Sequence, residues 1–505
     1  MTHSVRIIRP SYPLYAYEND LLTREIGALA PDSKFEADGA SVRTSNSKDL
    51  VRLAFAHGIE TDGDVLDTWQ KHAEASGPSA RAKNSTYGPH GIHRYKGKFY
   101  PQLAKSLINS SDGRGTILDP FGGSGTVAAE AVMAGRRAIS FDCNPVAVAI
   151  ARAKVTVLTA APSTIRDYLQ RTSLASERLG PEDGEAGIDQ FPTEVLNELQ
   201  SWFAPRVLAR LNPLLRLIRS EPDPSLANIG LVLVSDLIRE VSQQEPKDLR
   251  IRRRAIAIDD APVVEIFRRK LFRLASKLDL FWLHTDGQLP ASGSAKVVLD
   301  DSGDSSAFAK GVSEELSCVV SSPPYGTALP YIDTDRLSLA AVFSFTTSDR
   351  RGFERQMIGS RDISKPDWRE IEERVRRSPD ELGLPDSTIT FLQSYLEAVS
   401  RDDSAGFRKL QAPSVLARYF VSMSDVFQNF VPRLAKGADV WMVLGDSRSK
   451  ISDHWWVIPT VDEIAAIGKR AGLDLHESIP ISVTREDVLH SRNTITKNQI
   501  LHFRS

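Results

Sequence analysis

The sequence predicts an α/β fold: a doubly wound parallel sheet carrying helical insertions. Two short apolar runs that end on carboxylates, GTILDP (Gly115–Pro120) and RRAISFD (Arg136–Asp142), flank the helical stretch VAAEAVMAG. Strand, helix, strand in that order gives parallel neighbours. The strand pattern returns at KVVLDD (Lys296–Asp301) and SCVVSS (Ser317–Ser322), and again at ADVWMVLGD (Ala438–Asp446). Between these runs, WFAPRVLARLNPLLRLIRS and NIGLVLVSDLIREVS have helical spacing.

In chain order, residues 1–83 are polar and mixed, with no assigned role, and end in the small and basic stretch EASGPSARAKNSTYG, a linker or loop. Residues 84–160 read as the first α/β half. Residues 161–290 read as a helical insertion holding the basic runs LRIRRRA and FRRKLFR. Strands return over 291–345, and a polar, charged, mostly helical stretch follows over 346–412. Residues 413–505 complete the sheet with an amphipathic helix, the strand at Ala438–Asp446, a further helix and a strand pair.

Composition narrows the class. At 505 residues, 41% hydrophobic and 25% charged, the chain matches ordinary globular proteins. No apolar run is long enough to span a bilayer, and MTHSVRIIRPSYPLY lacks the apolar core of a secretory signal. Two cysteines, Cys143 and Cys318, make neither a disulfide framework nor a zinc cluster, so no metal is expected and a reducing cytoplasm is the default. A net charge of −2 means that any nucleic-acid partner must be held by a local patch.

Two turns carry the chemistry. ILDPFGGSGTVAAEA (Ile117–Ala131) places a carboxylate at a strand end, then a glycine-rich turn, then a helix N-terminus. Glycines admit a ligand close to the backbone, and the helix offers free N–H groups. Gly123-x-Gly125-x-x-Ala128, with Asp142 about 20 residues on, also fits a dinucleotide template. Charge separates the two readings: Asp119 would repel a diphosphate and attract the ammonium and sulfonium of S-adenosylmethionine. Asp142 then accepts from a ribose in either case. The second turn, Ser321-Ser322-Pro323-Pro324-Tyr325, ends a buried strand. The prolines fix the backbone and remove donors, so carbonyls and serine hydroxyls can accept from an amine while Tyr325 offers a face for stacking a base.

DPFGGSGT, Asp142 and SSPPY together resemble the S-adenosylmethionine-dependent DNA amino-methyltransferases, most of all the N4-cytosine members. The resemblance implies a Rossmann-like methyltransferase sheet and S-adenosylmethionine as cofactor. It assigns cofactor contacts to Asp119, Phe121, Gly122, Gly123, Gly125, Thr126, Asp142 and Asn144. GIHRYKGKFYPQLAKSLI (Gly91–Ile108) is similar to the family's further cofactor motif, through His93, Lys98, Phe99 and Tyr100, and Asp304 stands where the family contacts the adenine edge. Catalysis falls to Ser321, Ser322, Pro323, Pro324 and Tyr325, acting on a base rotated out of the duplex. The implied partners are double-stranded DNA and a companion restriction or defence nuclease. Phosphate contacts are expected from Arg250, Arg252, Arg253, Arg254, Arg268, Arg269 and Lys270, and target reading from 346–412, with Trp368, Arg351, Arg355 and Arg361. N6-adenine methylation, RNA guanine-N2 methylation (to which Gly326 points) and a catalytically idle DNA-binding subunit remain as alternatives.

Overall fold

The computed structural model describes residues 2–37, 39–75, 83–95, 97–111, 115–180, 191–246, 248, 251–286, 289–290, 292–326, 331–481 and 498–505. Five strands lie near the N-terminus: β1 (His3–Ile8), β2 (Lys34–Phe35), β3 (Ser41–Thr44), β4 (Gly58–Thr61) and β5 (Asp64–Asp67). They form an antiparallel sheet in the order β2-β3-β1-β4-β5. In β1, buried Val5 and Ile7 alternate with exposed Arg6, the period of a half-buried strand. Asp62 and Gly63 link β4 to β5 with φ of 52° and 87°, the left-handed pair that a two-residue hairpin needs. The polar segment at the start of the chain is therefore a folded layer. Its elements are short and one-sided, which keeps their periodicity below what a sequence pattern displays.

The main sheet has seven strands: β6 (Thr116–Asp119), β7 (Arg137–Asp142), β8 (Ser294–Leu299), β9 (Leu316–Ser321), β10 (Leu434–Gly445), then, after a separate hairpin of β11 (Ser447–Ile451) and β12 (His454–Ile458), β13 (Asp474–Ile481) and β14 (Asn498–Arg504). The order is β13-β14-β10-β9-β6-β7-β8. β10, β9, β6, β7 and β8 run parallel, and β14 runs antiparallel to both its neighbours. The chain winds from β6 out to β8, then returns to the other side of β6 to lay down β9 and β10. This is the doubly wound, Rossmann-like arrangement, and its switch point lies between β6 and β9. Ligands of such sheets bind where the carboxyl ends of strands diverge.

Alternation sorts the two faces. Leu118, Val319, Val440 and Met442 pack with Phe420, Met423 and Phe427 of the helix Phe407–Phe430. Ile117, Cys318, Val320 and Trp441 pack on the other face with Leu103 and Leu107 of the helix Pro101–Asn109, and with Leu21 and Ile26 of the N-terminal helix Ala16–Leu29. Between β7 and β8 the helices Pro162–Glu177, Thr193–Trp202, Pro205–Arg219, Pro224–Val241 and Val263–Thr285 build a core of their own around Leu211, Leu233 and Phe267. Several start with proline at the first position, and Asp223 caps Pro224–Val241 by accepting from the Ser225 and Leu226 amides. Among the described residues, no helix is long and apolar enough to cross a membrane.

Candidate active site

The glycine turn leaves β6 at Asp119 and enters the helix Thr126–Met133. Packing dictates two of its glycines. A Cβ on Gly122 would stand 1.8 Å from the Ser140 hydroxyl, and one on Gly125 2.5 Å from the Ala151 Cβ at a φ of +73°. The Gly123 amide donates to the Asp142 carboxylate at 2.8 Å, and the Asn144 amide donates to its other oxygen at 2.7 Å. Burial, with Asp335 and Asp301 nearby, pushes the Asp142 carboxyl up to about 6. Asn144 caps the helix Pro145–Thr159 and donates its side-chain amide to Asp335. Thr126 is buried at the start of its helix.

The proline turn leaves β9 beside it. The Ser321 hydroxyl donates to Asp119 at 2.6 Å, and the Phe121 amide donates to the same oxygen at 3.1 Å. One carboxylate thus ties the two turns together. Both Asp119 and Ser321 are buried, and burial pushes Asp119 up to about 7 despite these hydrogen bonds. Ser322 donates to the Val443 carbonyl of β10 at 3.0 Å, Pro323 is buried, and the Tyr325 hydroxyl donates to Asn498 at 3.5 Å. A Cβ on Gly326 would sit 2.9 Å from the Tyr419 ring.

A single cleft opens over both turns. Pro120, Phe121 and Gly123 line it from the first, and Ser322 and Pro324 from the second. Asp142, Cys143 and Asn144 line it from the end of β7, Asp300, Asp301 and Ser302 from the end of β8, with Tyr95 and Gly97 from the loop before the sheet and Met357 and Ile358 from the second helical insertion. The Ser302 hydroxyl donates to the Pro120 carbonyl at 2.9 Å, joining the β8 end to the glycine turn.

Several expected site residues lie elsewhere. Asp119 and Ser321 brace the cleft from beneath. His93 bonds Ser235 of the helical insertion at 3.0 Å, with its pKa pushed down to about 4 by burial. Lys98 donates to the Ser85 and His90 carbonyls, and burial lowers it to about 8. Phe99 and Tyr100 pack into the core shared with the N-terminal layer. From that motif, Tyr95 and Gly97 are the cleft residues. Asp304 caps the helix Ser305–Gly311, accepting from the Ala307 amide at 2.8 Å. Asp301 and Ser302 line the cleft where Asp304 does not, because Asp142 pairs in register with Leu299 and the residues that follow Leu299 lie beside it.

The basic runs are largely spoken for within the chain. Arg254 donates to the Ser242, Gln244, Arg239 and Glu240 carbonyls, closing the end of Pro224–Val241. Arg253 donates to the Ser201 carbonyl and lies 4.4 Å over the Trp202 ring. Arg252 pairs with Asp248, Arg268 with Glu177, Arg269 with Glu240, and buried Lys270 with Asp236 and Glu240. Arg250 lies outside the described residues. In the second insertion Arg355 pairs with Asp362, half-buried Trp368 meets Phe407 edge-on, and Arg351 and Arg361 are exposed.

Residues 34–153, which hold Tyr95, the glycine turn and Asp142, match the model of the N6/N4 DNA methylase family. Type II methyltransferase M.MjaII of Methanocaldococcus jannaschii is 24% identical over 217 residues, 32% of this chain and 41% of the relative. Type II methyltransferase M.MvaI of Kocuria varians is 24% identical over 261 residues, 49% of this chain and 56% of the relative. The chain thus spans about half the length of the curated relatives it matches. Matching solved structures include the rRNA methyltransferase aviRa of Streptomyces viridochromogenes (12% identity, TM-score 0.29, 84% of this chain and 90% of that one) and TrmN of Thermus thermophilus (11%, TM-score 0.32, all of both chains). At those scores neither bears on the fold, which rests on strand order and direction. The methyl donor the methylase-family match implies is S-adenosylmethionine. The cleft fits it: carboxylates of Asp142 and Asp301 suit ribose hydroxyls and cationic groups, rings of Tyr95 and Phe121 line the opening, and a Cβ at Gly123 would meet the Tyr95 ring at 3.7 Å.

Proposed function

We propose that the chain transfers a methyl group from S-adenosylmethionine to the exocyclic N4 amine of a cytosine flipped out of duplex DNA. The observation that supports this most directly is the Ser321–Asp119 hydrogen bond, which brings a cofactor-type turn and an amine-clamp turn under one cleft at the sheet's switch point. When bound, the cofactor supplies an electrophilic methyl on a positive sulfur.

The chain's own residues do the rest. Asp142 accepts from ribose hydroxyls, and Asp301 and Ser302 face the adenine end. Ser322 is the serine at the cleft; because its hydroxyl donates to the Val443 carbonyl, its lone pairs remain to accept an amine N–H. That bond, together with one to a proline-turn carbonyl, localises the nitrogen lone pair for attack. Tyr325, held at its hydroxyl by Asn498, supplies a face for the extruded base. Positioning and alignment carry most of the acceleration, and the amine proton departs after transfer, so no strong base is required. The neutral serine before the prolines favours cytosine, as in the N4 members the motif resembles. Gly326 gives no separate support to an RNA substrate, since contact with Tyr419 accounts for it.

Tritiated-methyl transfer to unmethylated DNA, premethylated DNA and RNA, followed by nucleoside mass spectrometry, tests the reading. N4-methylcytosine in DNA is the expected product. N6-methyladenine corrects the base while keeping the mechanism; incorporation into RNA alone, or none with cofactor bound, overturns it.

A further inference from the structure

Of the residues first expected to meet phosphate, Arg253, Arg254 and Lys270 are held within the helical insertion, while Arg252 and Arg269 sit in exposed ion pairs that solvent screens, so the insertion presents only part of the expected basic surface. The β11–β12 hairpin has the properties such a surface needs. Its strands pair Arg448 with Val457 and Lys450 with Trp455 on one face, and Ser447 with Ile458 and Ser449 with Trp456 on the other. The second face is turned into the protein: Ile451 and Ile458 are buried, and Trp456 lies 6.1 Å from Tyr395. The tip is tied down as well, because the Ser452 amide donates to Asp402 at 2.7 Å. At the base, Asp446 accepts from the Val461 amide at 3.0 Å. What remains outward is a rigid ribbon face with two cations, an indole that is 50% exposed and a valine that is 49% exposed. Its one acidic neighbour within the hairpin is Asp453, 97% exposed and 3.4 Å from Lys450, an ion pair that solvent screens and a phosphate can displace.

Position ties this face to the chemistry. The hairpin begins two residues beyond Gly445, at the carboxyl end of β10. Gly445 pairs in register with Asn498, which accepts from the Tyr325 hydroxyl, and Ser322 donates to Val443 of the same strand. The root of the ribbon and the amine clamp therefore share one corner of the sheet, four residues or about 13 Å of extended chain apart.

We infer that the outer face of the β11–β12 hairpin is a duplex-DNA contact: Arg448 and Lys450 neutralise phosphates, and Trp455 packs on the sugar or an unstacked base beside the target. A two-stranded ribbon fits a groove of B-DNA, and cations interleaved with an aromatic ring suit a backbone next to a disrupted step. The inference rests on the DNA reading of the active site.

Fluorescence anisotropy with a labelled mixed-sequence duplex, across a series of salt concentrations, tests it, with calorimetric cofactor affinity as the check on folding. R448Q/K450Q should weaken binding at least tenfold at low salt and lower the slope of log affinity against log salt by about 2, since each phosphate contact contributes about 0.9. W455A should cost about tenfold with the slope unchanged. Cofactor affinity should stay at the wild-type value in both. A wild-type protein that methylates DNA, with a double variant of unchanged slope and affinity, overturns the hairpin alone. A wild type that binds no duplex DNA, or binds only RNA, overturns both this and the DNA reading.

Discussion

Asp142 and Asp119 sit at adjoining strand ends, yet their jobs differ. Asp142 lines the cleft and its carboxyl is raised to about 6; Asp119 lies beneath and is raised to about 7, in both cases chiefly by burial. A carboxyl with a raised folded pKa holds its proton more tightly folded than unfolded. That contribution to stability is fully present below the ordinary carboxyl pKa of 3.8 and is lost as pH rises through 6 to 7. The thermal midpoint of the ligand-free protein should therefore fall between about pH 4 and 7, and Asp119→Asn should flatten the fall; an unchanged slope by calorimetry contradicts the assignment. Cofactor affinity should move the other way, dropping by up to about tenfold per pH unit below 6 as Asp142 takes up its proton and accepts less well. Asp142→Ala should abolish that dependence along with most of the affinity. Gly326→Ala drives a methyl into the Tyr419 ring, at an expected cost of about 1–3 kcal/mol. Because Gly326 follows Tyr325, turnover should suffer more than cofactor affinity, and equal losses in both would place the glycine outside the amine clamp. Both carboxylates were legible as strand-end residues. Which of them faces ligand was not, because side-chain direction at a strand end depends on the neighbouring strand.

At the scale of elements, the glycine turn was readable because its signals are local: a carboxylate, a run of glycines and a helix start within a dozen residues. The cofactor-proximal loop was harder. It has no period, so His93, Lys98, Phe99 and Tyr100 looked as eligible as Tyr95 and Gly97, and only packing separates them. Basic runs show the same limit, since sequence displays charge but not its partner. Arg254 is the clearest instance, with four carbonyls gathered at the end of Pro224–Val241. Arg254→Ala should destabilise the protein by about 2–3 kcal/mol, read by chemical denaturation. It should leave the salt dependence of DNA binding as it was. A lowered salt slope with unchanged stability would return Arg254 to the phosphate-contacting group. The signal for Asp301 and Ser302 was present in KVVLDD, a third apolar run ending on carboxylates like those at Asp119 and Asp142.

For the whole molecule, the N-terminal layer matters most. Its helix Ala16–Leu29 packs into the face of the main sheet that holds Ile117, Cys318 and Trp441, and Arg24 makes a two-pronged pair with Glu477 on β13. Removing residues 1–75 should uncover that face, raising binding of a hydrophobic dye and abolishing cooperative unfolding; a soluble remainder with a sharp transition would show the layer to be independent. Local spelling alone determined the α/β class and the order of glycine turn before proline turn. Both are written in stretches a few residues long, where hydrogen-bond donors, charges and backbone freedom are properties of neighbours along the chain. Tertiary structure alone decided that Asp119 reaches Ser321 across about 200 residues, that Arg253 and Arg254 close upon carbonyls of their own insertion, and that a short hairpin leaves the end of β10, the strand that receives the Ser322 hydroxyl. Those outcomes depend on which strand lies next to which, and strand order is set by the burial of both sheet faces at once.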